Sequence, residues 1–157
     1  MIKQLPISIE SARKSDVRSQ FAALCWRLTA KGSPELLLIT TRRSGRWIIP
    51  RGWPMDSMTP ADSAAQEAWE EAGVIGAPLE HCLGSYFYSK TMARGRTAPC
   101  VVMVYPLQVI SLAAEYPEAG QRQRKWVSPC KAAEKVNEPE LARILRDFNP
   151  AILPQDV

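Results

Sequence analysis

The stretch that most constrains this chain is TPADSAAQEAWEEAG, residues 59–73. It carries its own start and stop signals. Thr59 suits an N-cap, Pro60 the first helical position, and Asp62 the N3 place of a variant capping box. Gly73 suits the left-handed residue that ends a helix. Between them Ala61, Ala64, Ala65, Ala68 and Ala72 cluster on one side, which predicts a helix lying close against a sheet. Glu67, Glu70 and Glu71 stand at i, i+3 and i+4 and share another face. No Lys or Arg lies three or four residues from any of them. Glu70 and Glu71 also sit at the negative end of the helix dipole, so the arrangement costs about 1–3 kcal/mol. Two readings follow. The face is either a solvated acidic surface or a site for a hard divalent cation such as Mg²⁺, which takes carboxylate oxygens together with a phosphate-bearing substrate.

The rest of the pattern surrounds that helix with strands. FAALCWRL (21–28) and ELLLITTR (35–42) read as a hairpin across the turn-forming TAKGSP, and RWIIP is an extended piece that Pro50 ends. RGWPMDSM is a loop rich in turn formers. LGSYFYSK (83–90) and APCVVMVYPLQVI (98–110) are strands joined by the basic loop TMARGR, and RKWVSP adds a short strand. PCKAAEKV and PELARILRDF read as helices, with Ser128 or Asn137 as caps. The order strands, helix, strands, helices predicts an α/β (α+β) fold, a mixed central sheet with helices on its faces rather than a regular βαβ repeat. Residues 1–18 read as a loose arm or edge segment, 19–148 as a single domain and 149–157 as a tail.

Composition narrows the function classes. A chain of 157 residues, 46% hydrophobic and 23% charged, fits one globular domain with a proper core. Net charge +4 and a pI near 9.0 favour anions, phosphorylated metabolites as readily as nucleic acid. The amino terminus lacks an apolar h-region and no apolar run approaches ~18 residues, so the expectation is a cytoplasmic protein without a membrane span. Cys25, Cys82, Cys100 and Cys130 are widely spaced and lack a C-x-x-C, which speaks for reduced thiols rather than zinc or a disulfide framework. His81 reads as structural or surface, with a catalytic imidazole as the competing reading.

From Gly52 onward the spacing resembles the Nudix box, whose pattern is G, five residues, E, seven residues, then R-E-U-x-E-E-x-G-U, with U a bulky aliphatic residue. Gly52, Glu67, Glu70, Glu71, Gly73 and Val74 match, and Ala68 loosely matches a U position. The resemblance implies a Nudix-type α/β/α sandwich in which Glu67, Glu70 and Glu71 bind Mg²⁺, with Mn²⁺ as an alternative, joined by the backbone carbonyl of Arg51. It further implies hydrolysis of a diphosphate linkage by metal-activated water, with Glu67 or an acidic residue outside the box taking the proton. Many relatives are dimers, so a homodimer is an expectation. Two positions depart from the pattern: Met58 replaces the first Glu and Gln66 replaces the Arg. Both family residues tend to orient and balance the ligating carboxylates, so their joint loss implies lower activity with the metal face intact.

Substrate candidates are basic. Arg42, Arg43, Arg46 and Arg51 lie on the approach to the box, and Lys90, Arg94 and Arg96 crowd the later loop; either cluster suits a polyphosphate chain, against a bland reading as solvated loops. GRWIIPRGWPM and GQRQRKWVSP are similar to the bacterial relatives of diphosphoinositol polyphosphate phosphohydrolases. That likeness implies a highly phosphorylated small molecule of the diadenosine polyphosphate or diphosphoinositol polyphosphate type. Trp47 and Trp53 are candidates to stack on a base, and Glu115 and Glu118 to supply an extra ligand or base. Two other classes compete: a phosphate-binding regulatory module that has lost turnover, and an RNA 5′-pyrophosphohydrolase. The charge permits the latter, but no RNA-binding module or long basic tail is visible.

Overall fold

A computed structural model describes residues 17–155. The amino-terminal arm expected over 1–18 therefore falls almost entirely outside the described residues. Its last residue, Arg18, already belongs to the first strand. Eight strands form one sheet: β1 (Arg18–Leu28), β2 (Pro34–Thr40), β3 (Trp47–Ile48), β4 (Arg51–Gly52), β5 (Val74–Pro78), β6 (Gly84–Thr91), β7 (Thr97–Leu112) and β8 (Arg124–Val127). β1 and β7 run parallel, from Arg18 opposite Cys100 to Trp26 opposite Gln108, and the remaining pairings are antiparallel. The sheet is thus mixed, and β1 with β2 forms the expected hairpin, Trp26 facing Leu36.

Alternation along the central strands builds two cores, because successive side chains point to opposite faces. Ala22, Leu24, Trp26, Leu36, Leu38, Val102 and Val104 face one way, against α2 (Pro129–Lys135) and α3 (Pro139–Arg146). Ala23, Cys25, Leu37, Ile39, Tyr105 and Leu107 face the other way, against α1 (Pro60–Ala72). Ala61, Ala64, Ala68 and Ala72 of α1 are buried there; their small size lets the helix lie close to the sheet. Each fully buried leucine on these faces contributes about 1.5–3 kcal/mol of transfer free energy. The result is an α/β/α sandwich. Among the described residues no helix is long and apolar enough to cross a membrane.

The caps of α1 and α2 follow from local chemistry. The Thr59 hydroxyl accepts the Asp62 N–H, the Ser128 hydroxyl accepts the Lys131 N–H, and Gly73 closes α1 at φ 67°. Asn137 does not cap α3: Pro139 occupies the first turn, and the N-cap is Glu138, whose side chain makes no capping bond. Proline drives its predecessor into an extended conformation, which fixes Glu138 in that role. The pattern also left β5 unmarked. It is a short strand of half-exposed residues that β7 recruits by antiparallel pairing.

Candidate active site

Three segments meet at the carboxyl end of α1. The first is β4, which pairs with β1 so that Gly52 lies opposite Phe21 and Arg51 opposite Ala22. Glu67 packs directly on Gly52, where any Cβ would collide with its carboxylate. The second is α1 itself, carrying Glu67, Glu70 and Glu71. The third is the connection from β7 to β8, which docks on the helix end: the Ala113 N–H donates to Gly73 O and the Glu118 N–H to Glu70 O.

Glu71 is buried, and its carboxyl is pushed up to about 9, first by burial and then by the hydrogen bond it donates to Glu67. Glu67 is raised as well, chiefly by burial, although accepting that bond works against the rise. The pair therefore holds a proton that neither acid would keep in water. Arg122 answers some of the negative charge. Its Nε donates to Glu118 Oε1 at 3.1 Å, one Nη to Thr40 O at 3.0 Å, and the other Nη stands 3.9 Å from Glu71 Oε1. Arg124, two residues on, caps the helix by donating to Ala72 O at 2.9 Å and Ala113 O at 3.0 Å. A cation at that end also opposes the helix dipole.

A groove of about 800 Å³ opens beside this cluster. Arg42, Arg43, Arg46, Arg51, Lys90 and Glu71 all line it, so five of the seven basic candidates and one of the three acids share one concavity. Arg94 and Arg96 do not. They are exposed on the β6–β7 connection, outside the lining. Glu67 and Glu70 also stand outside the lining, Glu67 because it is turned onto Gly52. Trp53 is exposed with the Lys90 ammonium 5.6 Å from its ring, whereas Trp47 packs partly on the core. Glu115 is exposed, and Glu118 is tied to Arg122 and, at 3.9 Å, to Arg42. His81 lines a separate cavity with Cys82 and Arg143.

Behind Arg51 and Tyr88 of the groove lining stand partners that local pattern does not reveal. Arg51 donates to the Tyr86 hydroxyl at 3.1 Å, lies 3.7 Å over the Tyr88 ring and pairs with Glu138 at 3.8 Å. Glu138 is buried and its Oε2 has no hydrogen-bond partner. Tyr88 in turn donates to Gln20 at 2.7 Å. Arg122 carried one visible signal, its i, i+4 spacing from Glu118; Glu138 carried none, since it reads as a helix flank.

The acidic face offers oxygen donors: the Glu67 carboxylate, packed on Gly52, and the Glu71 carboxyl hydrogen-bonded to it. That chemistry suits a hard cation: Glu71 is buried, and the half-buried Glu67 is held where a Cβ on Gly52 would stand. Among the described residues no three His, Cys, Asp or Glu side chains gather into a cluster able to hold a metal, so Glu70 does not complete a three-acid set with its neighbours.

Comparison with known proteins agrees with the architecture and the family resemblance. The NUDIX domain profile matches residues 18–148. Nudix hydrolase 21, chloroplastic, from Arabidopsis thaliana is 34% identical over 119 residues, covering 74% of this chain and 58% of the relative. Human diphosphoinositol polyphosphate phosphohydrolase 3-alpha is 32% identical over 112 residues, covering 69% of this chain and 63% of the relative. The chain thus spans less than two thirds of the length of these curated relatives. A crystal structure of a C. elegans Ap4A hydrolase binary complex superposes with a TM-score of 0.61 at 22% identity, covering 82% of this chain and 93% of that one, which shows a shared fold. With the profile covering most of its length, the chain belongs to the NUDIX domain family.

Proposed function

We propose that this chain is a metal-dependent pyrophosphohydrolase that cleaves a diphosphate linkage in a highly phosphorylated small molecule, of the diadenosine polyphosphate or diphosphoinositol polyphosphate type. One observation carries the reading: Glu71 lines the same groove as Arg42, Arg43, Arg46 and Lys90. Acidic and basic groups in one concavity suit a ligand that brings its own anionic oxygens and is met by a cation. The names of the relatives support the substrate class.

In this reading the arginines and Lys90 bind and orient the polyphosphate chain, guanidinium groups matching phosphate oxygens in pairs. Glu67 and Glu71, with Glu70 and the Arg51 carbonyl, would hold Mg²⁺ or Mn²⁺, and the ion would supply neutralisation of phosphoryl charge and a lower pKa for the attacking water. Glu67 or an acidic residue outside the box would accept the proton of the attacking water. The Arg51 guanidinium stays fixed on Tyr86, Tyr88 and Glu138, presenting one face to the groove.

The second reading, a phosphate-binding module without turnover, is favoured by two features. Gln66 and the exposed Met58 replace the charged box residues, and among the described residues no three-acid cluster stands ready. A panel of diadenosine polyphosphates, nucleotides, nucleotide sugars, diphosphoinositol phosphates and 5′-triphosphorylated RNA, assayed for phosphate or pyrophosphate release with and without Mg²⁺, separates the readings. The enzyme reading expects Mg²⁺-dependent turnover of a polyphosphorylated small molecule, abolished by Glu70→Gln. Tight binding without turnover of any compound favours the module, and turnover of the RNA alone favours the third class.

A further inference from the structure

The acidic face of α1 has no cation on its own helix, and Gln66 stands where the family pattern has an arginine. Glu71 is buried and Glu67 and Glu70 are half-buried, so negative charge on this face is weakly screened by water and calls for a cation nearby. Among the described residues the ion pair between Glu71 and Arg122 is the one that reaches these three glutamates. The neighbouring guanidiniums are otherwise engaged. Arg124 is spent on Ala72 O and Ala113 O, and Arg51 on Tyr86, Tyr88 and Glu138.

The geometry of Arg122 says how it acts. Two contacts hold it in place, the 3.1 Å bond to Glu118 and the 3.0 Å bond to the Thr40 carbonyl. Both anchors lie off α1. Its approach to Glu71, at 3.9 Å, is too long for a hydrogen bond, so it influences that carboxylate through charge rather than direction. Its side chain is only 10% exposed, so water screens the interaction weakly.

We propose that Arg122 is the internal counter-ion of the α1 acidic site, a cation held in place from outside the helix that does the charge balancing Gln66 cannot do. The inference rests on reading this face as a cation site. It has a definite consequence: Arg122 stabilises the metal-free protein and, by the same charge, opposes entry of a divalent ion. Removing it raises metal affinity while lowering metal-free stability. A residue that merely anchors the β7–β8 connection through Thr40 does neither in a metal-linked way.

The test is calorimetric titration of Mg²⁺ at pH 8, paired with thermal denaturation with and without Mg²⁺, on wild type, Arg122→Gln, Arg122→Lys and Arg122→Gln with Gln66→Arg. Even where the metal displaces a proton, the site gains about one net positive charge, so Arg122→Gln binds Mg²⁺ on the order of three- to tenfold tighter. Its melting temperature falls without metal, and Mg²⁺ recovers most of the loss. Arg122→Lys, which keeps the charge, stays near wild type. Gln66→Arg in the Arg122→Gln background returns affinity towards wild type. Unchanged or weaker Mg²⁺ binding by Arg122→Gln, or an equal loss of melting temperature with and without the ion, overturns the proposal. Absence of Mg²⁺ binding by every protein overturns it together with the cation-site reading, whereas a wild type that binds Mg²⁺ but turns over nothing overturns the hydrolase reading alone.

Discussion

Glu71 sets the chemistry of the site at the scale of a single residue, and its sign is testable. Folding raises its carboxyl from the ordinary 4.5 to about 9, chiefly by burial. The folded chain therefore holds a proton that the unfolded chain has released over that window. The stability tied to this proton is complete below about pH 4.5 and is lost as pH climbs towards 9. In metal-free protein the urea midpoint should fall from pH 5 to pH 9, and Glu71→Gln should flatten that slope; an equally steep slope in the variant would assign it elsewhere. Arg51 offers a second residue-level test. With both side chains of the Arg51–Glu138 pair buried, Arg51→Met strands Glu138 and should cost about 3–5 kcal/mol in chemical denaturation. Adding Glu138→Gln should recover a large part. A double variant as unstable as the sum of the singles would show that the two do not act as a pair.

At the scale of elements, α1 was legible because everything that makes it is local. Thr59, Pro60 and Gly73 mark its ends, and the alanine spacing marks its buried face. The three glutamates were equally visible, but their partners were not. Arg122 lies 51 positions beyond Glu71, and only the docking of the β7–β8 connection on the helix end brings the two together. β5 escaped notice for a related reason, since pairing with β7, not its own composition, makes it a strand. Glu138 was missed because its function is tertiary: proline sets its backbone, while a guanidinium from β4 claims its carboxylate. The junction of β4 and α1 yields a prediction at this scale. Gly52→Ala places a methyl group where the Glu67 carboxylate lies, so Glu67 must move. Misplacement of about 1 Å is enough to lower turnover on the order of 10²-fold. In assays of kcat and KM the loss should fall on kcat with the fold intact by circular dichroism, whereas wild-type kcat in that variant would remove Glu67 from the reacting centre.

The whole molecule is a sandwich whose sheet separates two cores and whose loops bring acid and base together at one edge. The arginines of the groove come from the β2–β3 connection and β4, Lys90 from β6, Glu71 from α1 and Arg122 from the approach to β8. No single segment contains the site, and the fold assembles it. Since the account turns on the carboxylate pair of α1 receiving a divalent cation, the most direct measurement is calorimetric titration of Mg²⁺ into wild-type protein at pH 7.5, repeated in buffers of different ionisation heat. Cation binding at Glu67 and Glu71 must displace the proton they share, so the account predicts release of close to one proton per bound ion, lost in Glu71→Gln. No binding heat, or binding without proton release that Glu71→Gln leaves unchanged, would contradict it.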